Sequence, residues 1–315
     1  MRSLQEWAQP ALMLFCLLLA YKLPFEGLFL SYAILGPLHY LTQISWLHDR
    51  SYFLKETKPR RFFVALAVIL TVWLALPYEI SPLPFPSNYG IAFITLSLLV
   101  LPAFLNMSGR RNLQIALVCS VPVIVWAFLH VDFFIIVGSI LLTTFIHVAV
   151  FTFTFLLLGA RSGNPASIVS ACAWLLCALV VFMYPPTVHF YMPDWFDLQR
   201  PLFDPVALAL GGDAQNILDR SWAAAYGLLT FAFTYHYLNW FSKTELLKWH
   251  KIPLRRGLAI LFLYLAAVGF YLYDYLLGFR VILFLGAMHV FLEFPLNIQT
   301  IRALLSRKQP VSKQP

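Results

Sequence analysis

Apolar runs long enough to cross a bilayer recur along the whole chain, and this repetition restricts the fold more than any single motif does. Inside hydrocarbon no water is available to pair with backbone N–H and C=O groups, so a spanning segment must be a helix or part of a closed barrel. Uninterrupted runs well beyond the ~10 residues of a barrel strand favour helices. Ten such spans are expected, at residues 5–22, 27–47, 62–77, 89–105, 113–129, 133–158, 166–184, 221–241, 257–276 and 279–296. The stretch Phe151-Thr152-Phe153-Thr154-Phe155 alternates like a strand, but its place inside a long apolar run makes it helical. Pro24 separates the first two spans, and Gly36-Pro37 marks a possible break inside the second. The expected fold is an all-α, polytopic transmembrane helical bundle forming one integral membrane domain over residues 1–315.

Only 11% of the residues are charged, against about 25% in an ordinary soluble domain. That excludes a soluble enzyme, a disordered protein and a nucleic-acid-binding module. The net charge of +8 reads instead as orientation. With the N-terminus cytoplasmic, 18 of the 22 Lys and Arg residues fall in inside segments, and only Lys22, Arg200, Arg220 and Arg280 lie outside. Both termini are therefore expected in the cytoplasm. The expected location is a membrane crossed many times, the inner membrane if the source is bacterial. Arg2 followed by apolar residues 11–20 looks like a signal peptide, but Glu6 interrupts it and no small-residue cleavage site precedes Lys22, so a retained first helix is expected.

The outside loops differ in kind. Residues 77–86 are proline-rich, and the long loop 185–220 carries Tyr191, Trp195 and Phe196. Within it, residues 204–219 have the pattern of an amphipathic helix lying on the membrane. The polar tail 304–315 is expected to be mobile. Cys16, Cys119, Cys172 and Cys177 all fall in apolar spans without a CxxC, so no disulfide framework is legible. The Asn106-Met107-Ser108 sequon falls on the inside and is discounted, and Asp274 is expected at the outer interface. The chain carries no P-loop, GxGxxG or GxSxG.

Chemistry is to be sought among the eight histidines, because polar groups in a membrane are costly and usually face the bundle interior. His39, His147, His236 and His289 occupy four different spans that run in one direction. At a rise of about 1.5 Å per residue they share a band roughly 10 Å thick in the cytoplasmic half. A lone imidazole in such a helix commonly just hydrogen-bonds its neighbour. Four at one level on parallel helices are what an intramembrane metal site requires. Helical spacing adds polar neighbours: Thr42 and Gln43 near His39, Thr143, Thr144 and Thr154 near His147, Asn239 near His236, and Glu293 and Asn297 below His289. Glu293, four residues after His289, is the expected catalytic carboxylate or extra ligand. Asp49, beside His48 at the cytoplasmic mouth, is a second candidate catalytic carboxylate, and Glu245 and His250 could line the same mouth.

The resulting expectation is a metal-dependent oxidoreductase, the metal being iron in non-haem or haem form. Its partners would be membrane lipids and a hydrophobic small molecule, such as a lipid, isoprenoid or quinone, and no nucleic acid. The HxxxH and HxxHH pairs of membrane di-iron desaturases are absent. Two other readings stay open on the sequence: a proton-linked transporter or permease, and a haem-binding electron-transfer or assembly protein.

Overall fold

A computed structural model of the chain describes residues 6–75, 147–149, 152–187 and 220–305. Over these residues every regular element is helical. The elements are α1 (Gln9–Lys22), α2 (Glu26–Leu30), a π-helical turn (Ser31–Leu35), α3 (Gly36–Asp49), a short 3-10 turn (Ser51–Phe53) and α4 (Thr57–Ala75). After them come α5 (Thr152–Arg161), α6 (Pro165–Met183), α7 (Arg220–Ser242), α8 (Thr244–Leu247), α9 (Leu254–Tyr273) and α10 (Tyr275–Leu305). Three segments are long and apolar enough to cross a membrane: Pro165–Met183, Leu254–Tyr273 and Leu277–Leu305. The expected spans 89–105 and 113–129, most of 133–158, and the segments 77–86 and 204–219 lie outside the described residues.

Several boundaries differ from the sequence reading. The span expected over 27–47 is not one α-helix, because Ser31–Leu35 winds as a π turn in which Gly36 N–H donates to the Ser31 carbonyl. Pro37 has no N–H to continue the α pattern, and the wider turn accommodates that loss. The break after α9 falls at Asp274, whose extended backbone ends the helix and whose carboxylate accepts the Leu277 N–H at 2.9 Å. The last helix runs to Leu305 rather than stopping at 296, passing through Pro295. Packing on the buried side of α10 outweighs the one lost hydrogen bond. Leu304 and Leu305, expected in the mobile tail, belong to this helix.

Contacts fix the helix directions. Pro24 meets Thr230 and His39 meets His236, so α2–α3 and α7 run the same way. His39 beside His289 and the Phe53 carbonyl beside Gln299 give α10 that same sense. Gln9 bonds Ser242, which makes α1 antiparallel to α7, and Glu6 bonds Asn164, which sets α6 alongside α1. Arg256 meets Asp49, so α9 is antiparallel to α3. One end of the bundle therefore gathers Arg50, Arg161, Lys243, Arg255, Arg256 and Arg302; we refer to it as the basic end.

Two apolar clusters build the interior. One joins α1, α2, α6 and α7 toward the far end, with Phe25, Trp222, Tyr226, Phe231 and Tyr235 among its enclosed side chains. The other joins α3, α4 and α10 toward the basic end, around Leu47, Phe63, Phe291 and Phe294. Small residues on α7, Ala223 to Ala225 and Gly227, let neighbouring backbones approach it closely. Asn164 starts α6: its side-chain oxygen accepts the Ala166 N–H at 3.1 Å, and its amide donates to Glu6 at 2.9 Å. Asn164→Ala removes this cap and is expected to cost about 1 kcal/mol, read as a lowered thermal midpoint in detergent, with Asn164→Ser recovering most of it.

Candidate metal centre

His39, His236 and His289 reach the bundle interior from α3, α7 and α10, and His147 from the short π-helical stretch at residues 147–149 ahead of α5. The four rings form a closed circuit. Their centroids are 4.7 Å apart for His39–His236, 5.4 Å for His236–His147, 5.0 Å for His147–His289 and 5.3 Å for His289–His39. His39, His147, His289 and Glu293 are buried, and His236 sits half-buried at the rim.

The nitrogen separations bear on coordination. His39 Nε2 and His236 Nε2 are 3.1 Å apart, and His147 Nε2 lies 3.5 Å from Glu293 Oε2. Ligand atoms bound at about 2.1 Å to one ion sit roughly 3.0–3.4 Å apart along an edge of its coordination shell. The ligand atoms of His39, His236 and His289 all lie within 4.8 Å of one another, as do those of His147, His289 and Glu293. His289 belongs to both groups. These buried His and Glu side chains can hold a metal ion.

Surrounding groups orient the rings. Thr152 Oγ1 pairs with His236 Nδ1 at 2.8 Å; with Nδ1 donating there, Nε2 keeps its lone pair for a metal. Tyr40 stacks on His289 with centroids 4.3 Å apart and planes 20° apart. The Tyr40 hydroxyl is tied to that of Tyr237 at 2.6 Å. Thr42 donates to the backbone of its own helix and accepts the Trp240 N–H at 3.1 Å, beside His39. Gln43 reaches the Glu293 carboxyl from α3. His39 Nδ1, both nitrogens of His289 and Glu293 Oε2 are buried with no hydrogen-bond partner. Unpaired buried donors and acceptors are costly, and metal coordination removes that cost for atoms of this type.

The structure does not bring every expected residue here. Asp49 lies ten residues beyond His39, about 15 Å along the helix, exposed and bonded to Arg256 at 2.6 Å. His48 beside it approaches the Tyr52 hydroxyl at 3.3 Å, and Glu245 and His250 are exposed after α7. Conversely, Tyr40, Tyr237 and Thr152 surround the ring circuit without having been singled out by the sequence reading. Thr152 lies five positions after His147, off the three-and-four spacing of an α-helix.

Comparison of the chain with protein-family models, with curated proteins and with solved structures gave no match.

Proposed function

We propose that the chain is a multi-pass membrane enzyme, crossing the bilayer about ten times with both ends in the cytoplasm, that uses one iron ion in the histidine circuit to oxidise an apolar substrate. The observation that carries this reading is the circuit itself: four imidazoles from four segments, two of them with Nε2 atoms 3.1 Å apart, and a carboxylate oxygen 3.5 Å from a third. The donors form two converging groups that share His289, one of three imidazoles and one of two imidazoles and a carboxylate, and such a mixed nitrogen and oxygen set suits iron. Haem fits less well, because its ring would have to pass between histidines whose rings already lie about 5 Å apart. The ion would supply redox chemistry, and the chain would supply its position, its imidazole ligands and exclusion from bulk water.

An apolar substrate is supported by a groove of about 530 Å³ between α2, the π turn and α9, lined mostly by apolar side chains (Phe29, Leu30, Ala33, Ile34, Val268 and Leu272) with Glu26 and Tyr271 as its polar members. It opens toward the far half, and His39 follows Ile34 by little more than one helical turn. A lipid, isoprenoid or quinone tail fits such a lining.

Elemental analysis with a visible spectrum on detergent-purified protein tests the proposal, with His147→Ala beside it. About one iron per chain, mostly lost in the variant and without the intense visible bands of haem, is the expected result. Protein that takes up no metal when loaded with iron, cobalt or zinc would sink the reading, and the histidines would then be hydrogen-bonding or proton-carrying groups.

A further inference from the structure

Polar groups on the two sides of the histidine circuit are treated differently. Toward the far end the buried hydroxyls are matched among themselves, while the Trp174 Nε1 is buried without a partner. The Tyr40 and Tyr237 hydroxyls pair at 2.6 Å, those of Ser31 and Thr234 pair at 2.6 Å, and Thr230 donates to the Pro24 carbonyl. Toward the basic end several are not, although Trp240 donates to Thr42 and Thr300 donates to the Leu296 carbonyl. Gln43 Oε1, Glu293 Oε2 and both polar atoms of the Asn297 amide are buried without a hydrogen-bond partner.

Helix register arranges these groups as a file. His289, Glu293, Asn297 and Thr300 follow one another at spacings of four, four and three on the buried face of α10. Asn297 thus lies about 12 Å and Thr300 about 16 Å beyond His289 along the helix. Gln43, one turn beyond His39 on α3, faces the same file at Glu293. Asn297 is 1% exposed, and its Nδ2 needs an acceptor while its Oδ1 needs a donor. A bare cation satisfies only the oxygen. Water satisfies both, and buried water commonly occupies polar sites of this kind.

We propose that Gln43, Glu293, Asn297 and Thr300 line a hydrated passage joining the histidine circuit to the basic end, and that divalent cations reach the histidines through it. Its cargo rests on the metal reading above; the hydration of Asn297 does not. Access by this route carries a signature. The basic end carries Arg50 and Arg302, with Arg256 paired to Asp49, and its net positive charge repels a divalent cation, so added salt speeds uptake by this route. The far end carries Lys22, Arg220 and Arg280 beside Glu26 and Asp274, so it is the Asn297→Leu rate that separates the two routes.

Cobalt(II) uptake by the metal-free full-length protein, followed by its visible absorption, reads the route. Asn297→Leu is expected to slow uptake at least tenfold with the final cobalt content unchanged. Wild-type uptake is expected to quicken several-fold when ionic strength rises from 0.02 to 0.3 M with an inert salt, on the order set by Debye screening. An Asn297→Leu rate equal to the wild type's, or uptake slowed by salt, overturns the route. A high-resolution experimental structure reads the hydration independently. Density about 2.7–3.1 Å from both Asn297 Oδ1 and Nδ2 is expected. An Asn297 amide paired on both sides by protein atoms, with no such density, overturns the passage. Protein that takes no cobalt at all, yet shows that density, refutes the metal reading and the cargo and leaves a water-filled passage.

Discussion

His289→Phe is expected to abolish metal uptake by the histidine circuit and leave the fold standing. His289 is the residue shared by both groups of converging ligand atoms, so its loss breaks each of them. Removing an outer-shell partner of a metal ligand typically costs about 10–100-fold in affinity, and removing the ligand itself should exceed that. On the proposed metal reading, the metal bound after loading should fall to less than about a tenth of the wild-type content. Phenylalanine keeps the planar ring that stacks on Tyr40 at 4.3 Å, so no large cavity opens. Neither nitrogen of His289 has a hydrogen-bond partner, although the Leu285 and Gly286 carbonyls lie nearby. The metal-free variant should therefore unfold at a temperature no lower than metal-free wild type. A histidine retained only for hydrogen bonding to a neighbouring helix makes the opposite forecast: no change in metal and a loss of stability in the phenylalanine variant. Metal content and thermal midpoint, measured on the same preparation, separate the two.

The assembly of this circuit was legible in part because helix geometry makes depth a matter of counting. A rise of 1.5 Å per residue places His39, His147, His236 and His289 at one level once their segments run in one direction. Lateral adjacency was not legible in this way. A one-dimensional pattern does not say that α3, α7 and α10 adjoin, and that arrangement follows from packing around Tyr40, Tyr237 and the small residues of α7. The counting slips near His147. Thr154 was expected beside His147, whereas it is Thr152, five positions after His147, that bonds the His236 ring. Asp49 was attractive because it adjoins His48 in sequence, yet ten residues of helix carry it out to Arg256 at the surface. Helix ends were the least legible. Pro295 reads as a terminator, but a proline inside a packed membrane helix loses one hydrogen bond while its neighbours Phe291 and Phe294 stay buried.

A second large effect is expected far from the histidines, at Gly278. Here α9 turns into α10 with no spare residues: Asp274 is extended, its carboxylate accepts the Leu277 N–H, and its carbonyl accepts the Gly278 N–H at 2.9 Å. A Cβ added to Gly278 would collide with the Tyr271 Cα and N. Both are backbone atoms, so no side-chain rotation relieves the overlap, and the two helices must part at the far end. Overpacking usually costs about 1–3 kcal/mol when side chains can adjust, and a backbone collision belongs at the upper end or beyond. Gly278→Ala should therefore lower the thermal midpoint sharply and reduce the yield of monodisperse protein. The circuit need not go with it, since His289 lies about 16 Å further along α10. The molecules that fold should still bind metal. Gly269→Ala is the matching control: it sits inside α9 with nothing within 4 Å of the added carbon, and alanine favours helix over glycine by about 1 kcal/mol. Equal midpoints for the two variants would mean that α9 and α10 do not make this close approach. A loss confined to Gly278→Ala would locate the tight turn that holds α10, and with it His289 and Glu293, in register with the rest of the bundle.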